Sequence, residues 1–137
     1  MGVVVFDSDV LIGFLNRDDA HHENAVEQVR ASLAPGTSRL LTAVNYAEIL
    51  IGPLRVGAEG HVKRMLEQLD VEIMAVDTRL AERAVAVRAR TVLKLPDAFA
   101  VAAVARAAAR HGWSEVSLAS FDGAVLKADA QLRAADP

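Results

Sequence analysis

The chain contains no cysteine, so it has neither a disulfide framework nor a thiolate metal site, a composition that fits a reducing compartment. Aromatic residues make up only 4% of it against 53% hydrophobic residues, so its core has to be built from aliphatic side chains, chiefly Ala, Val and Leu. Ala favours helix and lets helices approach closely. Basic charge is not in excess either: 15 Lys and Arg face 18 Asp and Glu, a formal charge of −3. That balance argues against holding nucleic acid by a broad basic surface. It leaves a nuclease open, because acids gathered in one pocket and neutralised by a divalent cation leave the remaining surface more basic than the total. The first apolar run has no basic segment before it and is interrupted by Asp7 and Asp9, so neither a signal peptide nor a membrane span is expected, and a cytoplasmic location is.

At 137 residues the chain suits one domain, 1–137, burying roughly two-thirds of its unfolded surface. Val3 to Phe6 is a β-branched and aromatic run that fits a strand buried on both faces, with a helix starting near Ser8. Ala25, Val26, Val29 and Leu33 recur at helical spacing and predict a helix from Asp18 to Leu33, ended by Pro35-Gly36. A short strand fits Arg39 to Thr42, followed by a helix over Val44 to Ile51 that stops at Gly52-Pro53. Val62, Met65, Leu66 and Leu69 mark a helix from Glu59 to Leu69, and Val71 to Val76 alternates as a third strand. Two Ala-rich helices are expected at Arg79 to Val92 and Asp97 to Arg110, with Leu95-Pro96 between them and Gly112 closing the second. Val116 to Ala119 reads as a fourth strand and Gly123 to Ala128 as a last turn or two of helix. Such alternation predicts one α/β domain around a mainly parallel sheet, with its chemistry beyond the carboxyl ends of the strands.

The acids fall at informative places in that order. Asp7 stands where the first strand should end; an N-cap, worth about 1 kcal/mol, and a role in a site both account for it. Asp9 would lie in the first helical turn, where the helix dipole favours an acid by about half a kcal/mol. Asp97 follows Pro96, an ordinary helix opening, yet Ala98 to Val104 are apolar all round, so that helix is buried and its acid needs a partner or a metal. Asp122 lies just beyond the last strand, with Ser120 two residues before it. Glu48 sits at the edge of an apolar stripe, four residues from Val44 and three from Ile51, a position that a partly solvated charge also explains. Jointly, Asp7, Asp97 and Asp122 occupy strand ends or helix starts that an α/β sheet brings to one edge. Carboxylates about 4 Å apart repel by several kcal/mol, so such a cluster needs protons or cations. All-oxygen ligands suit Mg²⁺ or Mn²⁺, ions that orient a phosphodiester, activate water and stabilise a leaving oxygen. This is the chemistry of a metal-dependent nuclease.

Four segments, VVVFDSDVLI, TAVNYAEIL, KLPDAFAVAAVARAAARHG and VSLASFDGAVLK, in this order and at these separations, resemble the PIN-domain ribonucleases, and among them the VapC-type toxins of bacterial toxin–antitoxin pairs. Position by position, Asp7, Glu48, Asp97 and Asp122 match that family's acidic quartet for Mg²⁺ or Mn²⁺, and Ser120 matches a hydroxyl position that is usually Thr. The chain departs from the pattern at Asp9, where Ser or Asn is commoner, which leaves Asp9 as a supporting acid or a ligand, and at Val125, where an aromatic is commoner. The resemblance implies a PIN-like three-layer sandwich with a sheet of four to five short strands, homodimerisation, and neutralisation by a small cognate antitoxin. It further implies endoribonuclease action on RNA such as tRNA or ribosomal RNA, leaving a 5′-phosphate and a 3′-hydroxyl.

Two other readings compete. A strand followed by Asp-x-Asp also opens the haloacid-dehalogenase-like phosphohydrolases, in which Asp7 would be the nucleophile and Asp9 the general acid. Against it stand Val10-Leu11 after the pair, the lack of a late Gly-Asp with a further acid, and the short chain. In a receiver-like or scaffold domain, the acids would only cap helices. His21 and His22, adjacent on an expected helix, point about 100° apart and are read as solvated, not as one chelate. His61 is isolated, and His111 beside Gly112 suits a helix C-terminus. Arg83, Arg88, Arg90 and Lys94 read as a solvated face, with contact to RNA phosphates as the alternative reading, and Trp113 as packing.

Overall fold

The computed structural model describes residues 2–136. Four strands, β1 (Gly2–Phe6), β2 (Thr37–Thr42), β3 (Val71–Met74) and β4 (Val116–Ala119), form one sheet in the order β3-β2-β1-β4, and all three pairings are parallel. From β1 the chain steps outward to β2 and β3, then returns to place β4 on the free side of β1. The first two crossovers carry α1 (Ser8–Leu15) with α2 (His22–Ser32), and α3 (Ala43–Arg55) with α4 (Glu59–Gln68). The long return carries α5 (Thr78–Ala89), α6 (Leu95–His111) and a 3-10 turn (Trp113–Glu115); α7 (Gly123–Ala135) follows β4. This is the expected PIN-like α/β fold.

Alternation along the strands divides the core. Val3 and Val5 of β1 face α6, packing with Ala103, Val104 and Ala107, whereas Phe6 faces the other layer and packs with Val10, Leu11, Val29 and Ile49. Both faces are covered, which is why β1 is apolar almost throughout. Helix α6 is enclosed on three sides: by the sheet, by Leu80 and Ala84 of α5 against Phe99 and Ala102, and by Val125 and Ala128 of α7 against Ala98 and Val101. Alanine makes that close approach possible. Gly13 does the same where α1 meets α2, since a Cβ there would lie 3.3 Å from the Ala25 Cβ. Among the described residues no helix is long and apolar enough to cross a membrane.

Several boundaries depart from the sequence expectation. Helix α2 begins at His22 and not Asp18, because the Asn16 and Asp19 side chains accept the backbone N–H groups of Asp18 and His21 and hold this stretch in turns. Helix α3 does not stop at Gly52-Pro53 but continues to Arg55. Pro53 falls in its last turn, so the one bond to the Ile49 carbonyl is forfeited two residues before the helix ends, and the Pro53 carbonyl still accepts from Val56 and Ala58. Strand β3 ends at Met74, paired with the last residue of β2, rather than at Val76. Helix α5 ends at Ala89, short of Val92, and α7 runs to Ala135, well past Ala128. Its extension is held by Arg133, which pairs with Asp129 at 2.9 Å and donates to the carbonyls of Trp113 and Val116 at 2.9 and 2.7 Å.

Candidate metal centre

Parallel register levels the carboxyl ends of β1 and β4: Phe6 pairs with Ala119, and the Asp7 amide donates to the Ala119 carbonyl at 2.9 Å. Asp7 and Ser120 therefore leave the sheet side by side, at the point where the strand order reverses and ligands of open α/β sheets bind. Asp7 is 2% exposed. One of its oxygens accepts the Ser8 N–H at 2.9 Å, capping α1, and the other accepts the Ser120 hydroxyl at 2.8 Å. Asp9 holds the loop after β4 through the Phe121 N–H, at 2.9 Å from Oδ2, while its Oδ1 is buried with no hydrogen-bond partner. Asp122 caps α7 by accepting from Ala124 and Val125 at 2.9 and 3.4 Å, and its own amide donates to Ser120 Oγ at 3.1 Å. Asp7 and Asp122 thus each cap a helix just beyond the carboxyl end of a strand.

On the β2 side, Thr42 caps α3 and Glu48 stands nearly two turns further along. Glu48 Oε1 accepts from the Ser8 hydroxyl and from the Asn45 side-chain amide, the latter at 3.2 Å. Neither Ser8 nor Asn45 was singled out from the sequence. Asn45 did leave a signal, a polar residue three positions after a capping Thr and three before Glu48.

Electrostatics joins these acids into one group. Burial, then the Asp9 charge and more weakly that of Asp97, push the Asp7 carboxyl up to about 7 against the Ser120 and Ser8 hydrogen bonds. Asp9 is raised by burial and by Asp122, opposed by the Phe121 N–H. Asp97, in the first turn of α6, is raised by burial and then by Asp122, Glu48 and Asp9, with Lys94 opposing. Among the described residues no three His, Cys, Asp or Glu side chains are arranged as a ready-made ligand set. An orphaned buried Asp9 oxygen beside raised carboxyls, all of them hard oxygen donors, fits a divalent cation of the Mg²⁺ or Mn²⁺ kind.

A groove of about 600 Å³ runs from this site along α1, α3 and α4, lined by Ile12, Glu48, Ile51, Pro53, Val56 and His61 among others. Ile51 is 52% exposed and Val56 78%. The other expected residues are scattered. His21 stacks on Phe121 with ring centroids 4.9 Å apart, and His22 Nδ1 lies 2.8 Å from the Gly13 carbonyl, so both make specific contacts and are not simply solvated. His111 ends α6 before Gly112, at φ 88°, as expected. Arg88 donates to the Leu93 carbonyl, and Arg83 lines a separate cleft with Arg79, Glu82 and Arg106. Trp113 packs on the α6 side of the sheet, under the Arg133 guanidinium, 5.4 Å from its ring centroid.

Comparison with known proteins adds a family and a set of relatives in structure. The family model for the PIN domain matches residues 4–131. No curated relative matches in sequence. Among solved structures, a toxin–antitoxin complex from Klebsiella pneumoniae is 24% identical over 87% of this chain and 86% of that one, with a TM-score of 0.62. Mycobacterium tuberculosis VapC20, described as a sarcin-ricin loop cleaving toxin, is 20% identical over 91% of this chain and 94% of that one, with a TM-score of 0.70. VapBC2 from Rickettsia felis, bound to a DNA fragment from its promoter, is 12% identical over 88% and 99% of the two chains, with a TM-score of 0.57.

Proposed function

The chain belongs to the PIN domain family, and from that premise we propose that it is an Mg²⁺- or Mn²⁺-dependent endoribonuclease of the toxin type, neutralised by a cognate antitoxin. One observation carries the reading: Asp7, Asp9, Glu48, Asp97 and Asp122 lie near enough to one another beyond the strand ends for their charges to interact, and burial, with the charges of Asp9 and Asp97 added, raises the Asp7 carboxyl to about 7. Asp7, Glu48, Asp97 and Asp122 would hold a divalent cation, whose chemistry when bound would be to activate water and offset charge on the phosphodiester. The chain's own residues do the rest. Ser8 N–H and the Ser120 hydroxyl fix both oxygens of Asp7, so the carboxylate loses its proton without losing its orientation. Asp9 anchors the Ser120–Asp122 loop with one oxygen and keeps the other free of donors. Asp122, exposed at the rim, stands where an RNA strand would enter.

The substrate in this reading is structured RNA, tRNA or ribosomal RNA, a choice supported by the structural likeness to a sarcin-ricin loop cleaving toxin. An apolar segment of the antitoxin fills the groove of Ile12, Ile51, Pro53 and Val56. Because Glu48 lines the same groove, its occupant closes the approach to the acids. Incubating antitoxin-free protein with cellular RNA tests the activity. Cleavage to 5′-phosphate ends is expected with Mg²⁺, and none with EDTA or in Asp7→Asn. Equal cleavage in EDTA would sink the proposal.

A further inference from the structure

We propose that Asn45 is a positioning residue of the acidic site, its buried amide tying Glu48 of α3 to the start of α6 and so setting the spacing between Glu48 and Asp97. The inference rests on the cation-dependent reading above. Asn45 is fully buried in the first turn of α3, at 0% exposure. Its backbone N–H donates to the capping Thr42 Oγ1 at 3.1 Å, and Thr42 Oγ1 lies 2.6 Å from Asn45 Oδ1. The Thr42 hydroxyl donates to Asn45 Oδ1, which leaves the amide nitrogen on the opposite side.

On that side Asn45 Nδ2 meets three acceptors: Ser8 Oγ at 3.0 Å, the Pro96 carbonyl at 3.1 Å and Glu48 Oε1 at 3.2 Å. A flipped amide would set Oδ1 against a carbonyl and a carboxylate, neither of which can donate. Ser8, having accepted from Asn45, gives its own proton to Glu48. Donors therefore run one way, Thr42 to Asn45 to Ser8 to Glu48, and end on a carboxylate. The bond to Pro96 matters equally, since that carbonyl lies one residue before Asp97 and Lys94 gives α6 no side-chain cap. One amide thus fixes two of the proposed ligands, on two helices, relative to each other. A buried amide costs several kcal/mol unless its hydrogen bonds are made, and here its partners belong to the site.

The test titrates Mn²⁺ into metal-free protein by calorimetry and separates kcat from KM for cleavage of one RNA in the parent, Asn45→Leu and Thr42→Val, with metal-free melting as the check on folding. Asn45→Leu should still melt cooperatively, bind Mn²⁺ more weakly by about tenfold or more, and lose kcat by about 10–100-fold with KM little changed. Thr42→Val removes the hydroxyl that both orients the amide and caps α3, and should fall in the same direction by a smaller factor. If Asn45→Leu does not fold, Thr42→Val decides on the same criteria. Folded variants that match the parent in Mn²⁺ affinity and kcat, or that lose only in KM, overturn the positioning role alone. A parent that binds no Mn²⁺ overturns the cation reading and this inference with it.

Discussion

The folded protein keeps the Asp7 carboxyl protonated up to about pH 7, whereas the unfolded chain releases that proton near 3.8, so the two states part company between those values. Below that window both are protonated and Asp7 contributes no difference. As pH rises through it the unfolded state ionises first, and the metal-free fold loses stability, on the order of 4 kcal/mol from this residue by the time pH passes 7. Asp9 and Asp97, raised for the same reasons, add to the same slope. Melting temperature in EDTA should therefore fall from pH 4.5 to 7.5, and Mn²⁺ should restore more of it at pH 7.5 than at pH 5. Asp7→Asn should flatten the slope and raise metal-free stability at pH 7.5 while cutting cleavage by more than roughly a hundredfold, beyond what loss of a supporting contact costs. A slope that the variant leaves unchanged would show that the burdened group is not Asp7. Asp9, the residue that gives the opening segment its likeness to a phosphohydrolase, spends one oxygen on the Phe121 N–H and so on placing Asp122.

Helix α6 carries Asp97 into this group, and its alanines decide how near it comes. Ala102 is fully buried among Leu80, Ala84 and Phe99. Ala102→Leu should push α5 and α6 apart and cost about 1–3 kcal/mol, seen as a lower urea midpoint at unchanged m-value; an unaltered midpoint would mean that the helices yield freely. The burial of α6 was legible in the sequence, because Ala98 to Val104 has no polar side. Strand ends and their acids were legible too, since a β-branched run followed by Asp fixes both. Boundaries were less so: Gly52-Pro53 reads as a stop, yet it costs one donor in a last turn, and the extension of α7 depends on Arg133 reaching carbonyls far away in the chain. Asn45 and Ser8 stayed hidden for a similar reason. An amide's role lies in which acceptors surround it, and Pro96 is 51 residues away from Asn45 in sequence.

For the whole molecule, a net charge of −3 conceals an uneven distribution, with five acids meeting at one sheet edge beside an apolar groove. Val56 lies in the groove and outside the acidic group. Val56→Asp should release the protein from its antitoxin in a cleavage assay while leaving cleavage by the isolated chain unchanged; retained neutralisation would place the antitoxin elsewhere. The central claim, that the acids form one cation site, is tested most directly by calorimetric titration of Mn²⁺ at pH 7 in buffers of different ionisation enthalpy. Since burial and its acidic neighbours raise the Asp7 carboxyl to about 7, cation binding should be saturable, should release protons, and should release fewer in Asp7→Asn. Absence of saturable binding, or a heat that neither depends on the buffer nor changes in Asp7→Asn, would contradict it.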